Sequence, residues 1–193
     1  MNIQHITLAF LLSVGCLSAQ AQQGNESAPP TPIRMVTESS RPANQINSVF
    51  PFDIELKDSN GVAINSAKLF KKSAKPTVLM FWLTTCGPCK LELAAISQKF
   101  ESWKKEMDFD FYAISTDFSD RTEQFYNRVK TSKWPFPAYH DFNREFKLVM
   151  PGGLNGLPQI FVLDASGAVQ YHSRRYMPGD EDKLWEAIKL LKK

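Results

Sequence analysis

From residue 46 onward, apolar and polar positions follow two periods in turn. Phe52-Asp53-Ile54-Glu55-Leu56 alternates, which predicts a half-buried strand. Asp58-Ser59-Asn60-Gly61 signals a turn and Val62-Ala63-Ile64 returns from it, so a β-hairpin is expected. Ser66 to Ser73 reads as a short helix, and Pro76 precedes the apolar run Val78 to Leu83, a buried strand. The period then changes. Cys89, Leu93, Ile96, Phe100 and Trp103 recur at steps of four, three, four and three, the buried stripe of an amphipathic helix. Asp110 to Ser115 is the next strand, parallel to the first through a right-handed crossover. Asp120 to Glu123 has capping-box spacing and starts a helix to about Thr131. Trp134-Pro135-Phe136-Pro137 cannot sit in a regular helix and is assigned to a loop whose aromatics serve core packing. Asp141 to Met150 is a short helix with Phe142 and Phe146 on one face. A glycine-rich loop, Gly152 to Gly156, delivers Leu157-Pro158 into a strand ending at Asp164, and Asp164 to Gly167 turns into Val169 to Tyr171. The last helix starts at Gly179-Asp180, with Leu184, Ile188 and Leu191 toward the sheet. The expected order is a hairpin, then strand–helix–strand–helix–strand–strand–helix, an α/β class.

The amino-terminal part has a different texture. Ile6 to Leu17 is apolar but too short to span a bilayer, and Ala19-Gln20-Ala21 follows as a small-residue cleavage pattern. Residues 1–21 are therefore read as a secretory signal peptide. Val14-Gly15-Cys16 supplies an alternative, lipidation at Cys16, although Ser13 stands where a lipoprotein box has Leu. Both readings take the chain out of the cytoplasm, to the periplasm or another extracytoplasmic space, membrane-anchored in the second case. Residues 22–45 are rich in Gly, Ser, Pro, Asn and Gln and have linker composition, which leaves 46–193 as a single domain. The formal charge of +3 gives no strong field and no reason to invoke nucleic acid. Arg174-Arg175 fits a solvated strand face.

Chemistry concentrates at Thr84-Thr85-Cys86-Gly87-Pro88-Cys89. The order strand, turn, helix puts Cys86 at a helix N-terminus, where unpaired N–H groups and the helix dipole favour negative charge and lower a thiol pKa. Pro88 suits the first helical turn, where its missing N–H costs nothing. Cys89 lies three residues on, within reach for a small disulfide ring, and points with the buried stripe. The pair reads as a dithiol–disulfide exchange centre with Cys86 attacking and Cys89 resolving. Two other uses of such a pair stay open. A purely structural bridge this small constrains little chain. Half of a zinc site would need two more ligands, and beyond carboxylates only His140 and His172 remain after residue 21. No metal or other cofactor is expected.

Phe81-Trp82, Cys86-Gly87-Pro88-Cys89, Lys90 and Glu92 resemble the active-site motif of the thioredoxin-like superfamily. More narrowly, they resemble its extracytoplasmic TlpA/ResA-like thiol-disulfide oxidoreductases. Gly-Leu157-Pro158 before a strand resembles the second signature of that superfamily. The resemblance spans roughly Phe50 to Lys193. It implies a three-layer fold, a central mixed sheet flanked by helices, with the N-terminal β-hairpin ahead of it. It further implies that Pro158 is cis and lies against Cys86, that the Leu157 backbone docks substrate, and that Trp82 and Thr85 belong to the substrate surface. Two departures stand out: Thr85 replaces a usual Trp, giving a smaller and more polar surface, and Ala94 replaces a helix-kinking Pro. Glu92 is either a solvated helix carboxylate paired with Lys99 or Lys90, or, as the resemblance implies, the proton acceptor for Cys89. Gln159 stands where a Thr is common, with no consequence legible from the residues.

The resemblance implies reduction of protein disulfides, favoured over oxidation by the Gly-Pro dipeptide, with electrons from a membrane thiol carrier. Two other classes share the fold. SCO-type copper-handling modules separate their cysteines by three residues rather than two. Peroxiredoxin-type peroxidases place Thr or Ser three residues before the reactive Cys, where this chain has Leu83.

Overall fold

The computed structural model describes residues 50–70 and 75–192. The signal-peptide, Cys16 and linker assignments, the start of the domain at 46, and the end of the helix expected over 66–73 lie outside these residues. Seven strands form one sheet: β1 Glu55–Lys57, β2 Ala63–Asn65, β3 Thr77–Trp82, β4 Asp110–Ser115, β5 Ala138–His140, β6 Gln159–Leu163 and β7 Val169–Arg174. Their spatial order is β2-β1-β5-β4-β3-β6-β7. The β3–β4 and β4–β5 pairs are parallel, and β6 runs antiparallel to β3 and β7. The helices are α1 Ser66–Leu69, α2 Gly87–Glu106, α3 Thr122–Ser132, α4 Phe146–Val149 and α5 Asp180–Lys189. No helix among the described residues is long and apolar enough to cross a membrane.

Every residue of β3 is buried, which is why its sequence shows no alternation. Its side chains still divide by period two. Val78, Met80 and Trp82 enter a core with Cys89, Leu93, Ile96 and Phe100 of α2, Phe125 of α3, and Leu184 and Ile188 of α5. Leu79 and Phe81 enter the opposite core, with Phe70, Phe146, Phe161 and the segment Phe50 to Leu56. Trp103 and Trp185 stack with ring centroids 5.3 Å apart, joining α2 to α5. Burial of side chains of this size contributes about 1.5–3 kcal/mol each. Ser66 ties the first segment to the hairpin: its hydroxyl accepts from Ile54 N (3.1 Å) and donates to Phe52 O (2.9 Å). Gly167, at φ +87°, turns β6 into β7 under the Phe50 ring, and a Cβ there would sit 2.6 Å from Phe50 Cδ1.

Four expectations are corrected. A third parallel strand, β5, lies where only a loop was foreseen, and it brings the N-terminal hairpin into the main sheet through Lys57 opposite His140. The helix expected over 141–150 shrinks to α4, because the Asp141 carboxyl accepts from Glu145 N and Phe146 N (both 2.9 Å) and holds the preceding residues as a turn. Phe142 does not share a face with Phe146 but lies under the Lys57 ammonium, 4.6 Å from its ring centroid. The capping box does not form: a 3-10 turn over Ser119–Arg121 precedes α3, Arg121 occupies the cap without a side-chain bond, and Thr122 Oγ1 donates to Ser119 O (2.7 Å).

Candidate active site

β3 ends at Trp82, and the chain turns through Leu83-Thr84-Thr85 into α2, with Cys86 N–H donating to Leu83 O (3.1 Å). Cys86 is the N-cap: its backbone is extended and its Sγ accepts the N–H of Cys89 at 3.2 Å. Gly87 and Pro88 fill the first turn, and α2 runs unbroken from Gly87 to Glu106. Cys86 and Cys89 form a disulfide with Cα atoms 5.3 Å apart. Cys86 keeps part of its surface, whereas Cys89 is 0% exposed. One sulfur is thus reachable and the other lies beneath it.

The turn before Cys86 is fixed from the neighbouring strand. Asp117, fully buried beyond the end of β4, accepts from Thr84 N (2.8 Å), Thr84 Oγ1 (2.9 Å) and Ser115 Oγ (2.6 Å). Behind it, His140 is buried with Nε2 2.9 Å from Asp117 O and its ring stacked on Phe125. Burial holds the His140 pKa below its usual value. Asp117 escaped sequence reading because Thr84, which it holds, lies 33 residues back, and a single Asp after a strand carries no signal of its own. Asp117→Asn keeps the shape but turns an amide donor toward groups that themselves donate. The expected loss is about 2–3 kcal/mol, read from denaturant unfolding with the disulfide intact; an unchanged midpoint would remove the clamp from the site.

The Leu157–Pro158 bond is cis, and the Leu157 carbonyl oxygen lies 3.8 Å from Cys86 Sγ. In the disulfide this is a contact; only the reduced thiol has a proton to donate there. Gln159, fully buried, sets the loop: its Nε2 donates to Asn155 O (3.1 Å) and Gly156 O (2.8 Å). Its Oε1 faces His172 Nε2 at 3.0 Å, so that nitrogen carries the proton. His172 in turn stacks on Phe161, 4.1 Å between centroids. The residue with no legible consequence in the sequence is the anchor of the loop beside the disulfide.

Glu92 is not a solvated carboxylate. It is 2% exposed, one turn after Cys89, and its Oε2 has no hydrogen-bond partner among the described residues. Burial foremost, with the negative charges of Asp180 and Glu181, pushes its pKa to about 8. Lys99 pairs instead with Glu181 (3.2 Å) and Asp182 (2.6 Å) on α5. Trp82, expected on the substrate surface, has no exposed area. Its ring packs edge-on to Trp134 and beside Phe125, so it supports the loop from beneath. Thr85 is exposed immediately before Cys86.

No group of three or more His, Cys, Asp or Glu side chains converges as a metal-ion site among the described residues.

Comparison with known proteins agrees with this geometry. The thiol-disulfide oxidoreductase ResA of Oceanobacillus iheyensis is 28% identical over 120 residues, which cover 61% of this chain and 59% of that protein. The match thus spans about three fifths of that relative's length. The solution structure of an uncharacterized thioredoxin-like protein from Porphyromonas gingivalis superposes with a TM-score of 0.61 at 27% identity, covering 72% of this chain and 89% of the other. StoA from Bacillus subtilis, at 20% identity and a TM-score of 0.55, covers 74% and 98% respectively and shares the fold. Residues 46–172 match the AhpC/TSA family over most of the folded part, and with this thioredoxin-like architecture the chain belongs to that family.

Proposed function

We propose that the chain is an extracytoplasmic thiol-disulfide oxidoreductase that reduces protein disulfides. The observation that carries this is the reachable Cys86, bonded to a buried Cys89 at the start of α2, with the Leu157 carbonyl 3.8 Å away. In the reduced form the Cys86 thiolate is favoured by the helix N-terminus and by the Cys89 N–H. It attacks one sulfur of a substrate disulfide, forming a mixed disulfide and releasing the other sulfur as thiolate. Cys89, deprotonated, then attacks Cys86 Sγ, closes the ring and releases the second substrate thiolate. Two electrons pass from the dithiol to the substrate, and a donor dithiol returns them; the resemblance suggests a membrane thiol carrier. The Leu157 backbone pairs with the substrate chain, and Pro158 and Thr85 border it. Glu92 takes the Cys89 proton in its ionised form, whose share grows as pH approaches 8. Export by the segment before residue 22, or anchoring at Cys16, belongs to the same proposal.

The other two readings have less support. His140 and His172 are engaged with Asp117 and Gln159 through their Nε2 atoms. Leu83, three residues before Cys86, offers no hydroxyl to a peroxide, and the hydroxyl of Thr84 donates to Asp117. The test is reduction of insulin by catalytic amounts of protein with dithiothreitol as electron source. Catalysis that disappears in Cys86→Ser is expected. Peroxide consumption without disulfide reduction, or stoichiometric copper binding without it, would overturn the reading.

A further inference from the structure

Beside Cys86, on the α3 side, the surface sinks into a cavity of about 360 Å³. Thr85 forms its rim toward the disulfide, and Arg121, Gln124, Asn127 and Arg128 form its wall. Arg128 also borders a second hollow of about 390 Å³, which reaches Lys90 on the first turn of α2 and Trp134. The two hollows adjoin at Arg128 and together form a trough along α3. Three cations line it and no carboxylate does. Arg121, Arg128 and Lys90 have no ion-pair partner among the described residues, although seven Lys–carboxylate pairs form elsewhere on the surface. Asp120 precedes Arg121 and Glu123 follows two residues after it, but neither lines the hollows, and Glu123 acts with Asp58 on Tyr126. On the α5 side of α2, by contrast, the carboxylates are paired, Asp180 with Lys183 and both Glu181 and Asp182 with Lys99. The cations beside Cys86 therefore differ from Lys99 and Lys183 in lacking a carboxylate partner among the described residues.

We infer that this trough is a subsite for an acidic segment of the disulfide substrate, taking an Asp or Glu carboxylate a few residues from the substrate cysteine. The inference rests on the oxidoreductase reading and adds the substrate's chemistry to it. The lining residues suit such a ligand, because guanidinium groups bind carboxylates through paired N–H donors, and Gln124 and Asn127 add neutral donors beside them. The length fits as well. α3 has eleven residues, roughly 16 Å at 1.5 Å per residue, which suits several residues of extended chain better than one small anion. Thr85 leaves the passage from the disulfide into the trough open, since its side chain is short.

The test uses the reduced full chain and two blocked peptide disulfides that differ only in Glu or Gln beside the cysteine, with oxidised glutathione as a small-molecule arm. Rate constants are measured at low and high ionic strength. The acidic peptide is expected to react about three- to thirtyfold faster than the neutral one at low salt, with the ratio shrinking as salt rises. In Arg121→Gln/Arg128→Gln the ratio should fall to about one, and Thr85→Trp, which narrows the passage, should lower it too. Thermal unfolding of both variants checks that they fold. Equal, measurable rates for the two peptides would overturn the subsite alone. A ratio that survives in the arginine variant would overturn it as well. Faster reduction of oxidised glutathione than of the acidic peptide would overturn the assignment to a protein segment. No reduction of any of the three would overturn the oxidoreductase reading and the subsite with it.

Discussion

Replacing Cys89 with alanine is expected to stop the reaction at a covalent complex between Cys86 and its substrate. Turnover should fall by about 10³-fold or more, because the thiol beside Cys86 that resolves the mixed disulfide is gone. The fold should survive: Cys89 contributes a small buried side chain, and its truncation costs about 1 kcal/mol. The complex should form in a 1:1 ratio, appear as a mass increase on the intact protein, and dissolve in dithiothreitol. The asymmetry between the sulfurs makes the experiment decisive. Cys86 is partly exposed and caps α2, whereas Cys89 has no accessible surface. Cys86→Ala should therefore trap nothing. A complex in Cys86→Ala but not in Cys89→Ala would reverse the roles.

The second large effect belongs to Glu92. Its carboxyl holds its proton up to about pH 8 in the folded chain, against about 4.5 when unfolded, with burial as the main cause. Between these values the folded state binds the proton and the unfolded state has released it. Stability from this group is therefore complete below pH 4.5, falls as pH rises through the window, and is lost above 8. Glutamine does not titrate and nearly matches the shape. Relative to Glu92→Gln, the parent should lose about 3–5 kcal/mol between pH 4.5 and 8. Denaturant midpoints at several pH values, with the disulfide intact, read this difference. Disulfide exchange by the variant should be about ten- to a hundredfold slower. Its pH–rate profile should also change, because the titrating carboxyl one turn from Cys89 is gone. Parallel stability curves and superimposable rate profiles would reduce Glu92 to a packing residue.

The sequence showed the reaction centre more clearly than its supports. Val78 to Trp82 and the stripe from Cys89 to Trp103 are long enough for their periods to stand out, so the strand, the helix and both sulfurs were legible. Ala138-Tyr139-His140 was not. Three residues cannot display an alternation, Pro135 and Pro137 suggested a loop, and His140 at its end and Asp141 just beyond are buried for hydrogen bonds that are invisible without the fold. The α2 stripe predicted Glu92 only at its edge. The groups that act on it, Tyr171, Tyr176, Asp180 and Glu181, lie some eighty or ninety residues later. Asp117 and Gln159 illustrate the same limit: each positions a loop beside the disulfide through partners that chain order does not reveal.

The hairpin has a consequence for solubility. β5 is only three residues long, and β1 meets it through the single pair Lys57–His140. Were the hairpin to detach, β5 would become an open rim of backbone donors and acceptors, a template on which another chain could add a strand. With β1 and β2 in place, the outermost strand on that side is again only three residues long and ends the sheet where little pairing can be gained. On the far side, β7 presents the charged Arg174, which discourages stacking of further chains. Shortening the chain from its amino end past Asn65 would thus exchange a guarded rim for an adhesive one, and the remaining domain would be prone to self-association during expression even though both cysteines remain.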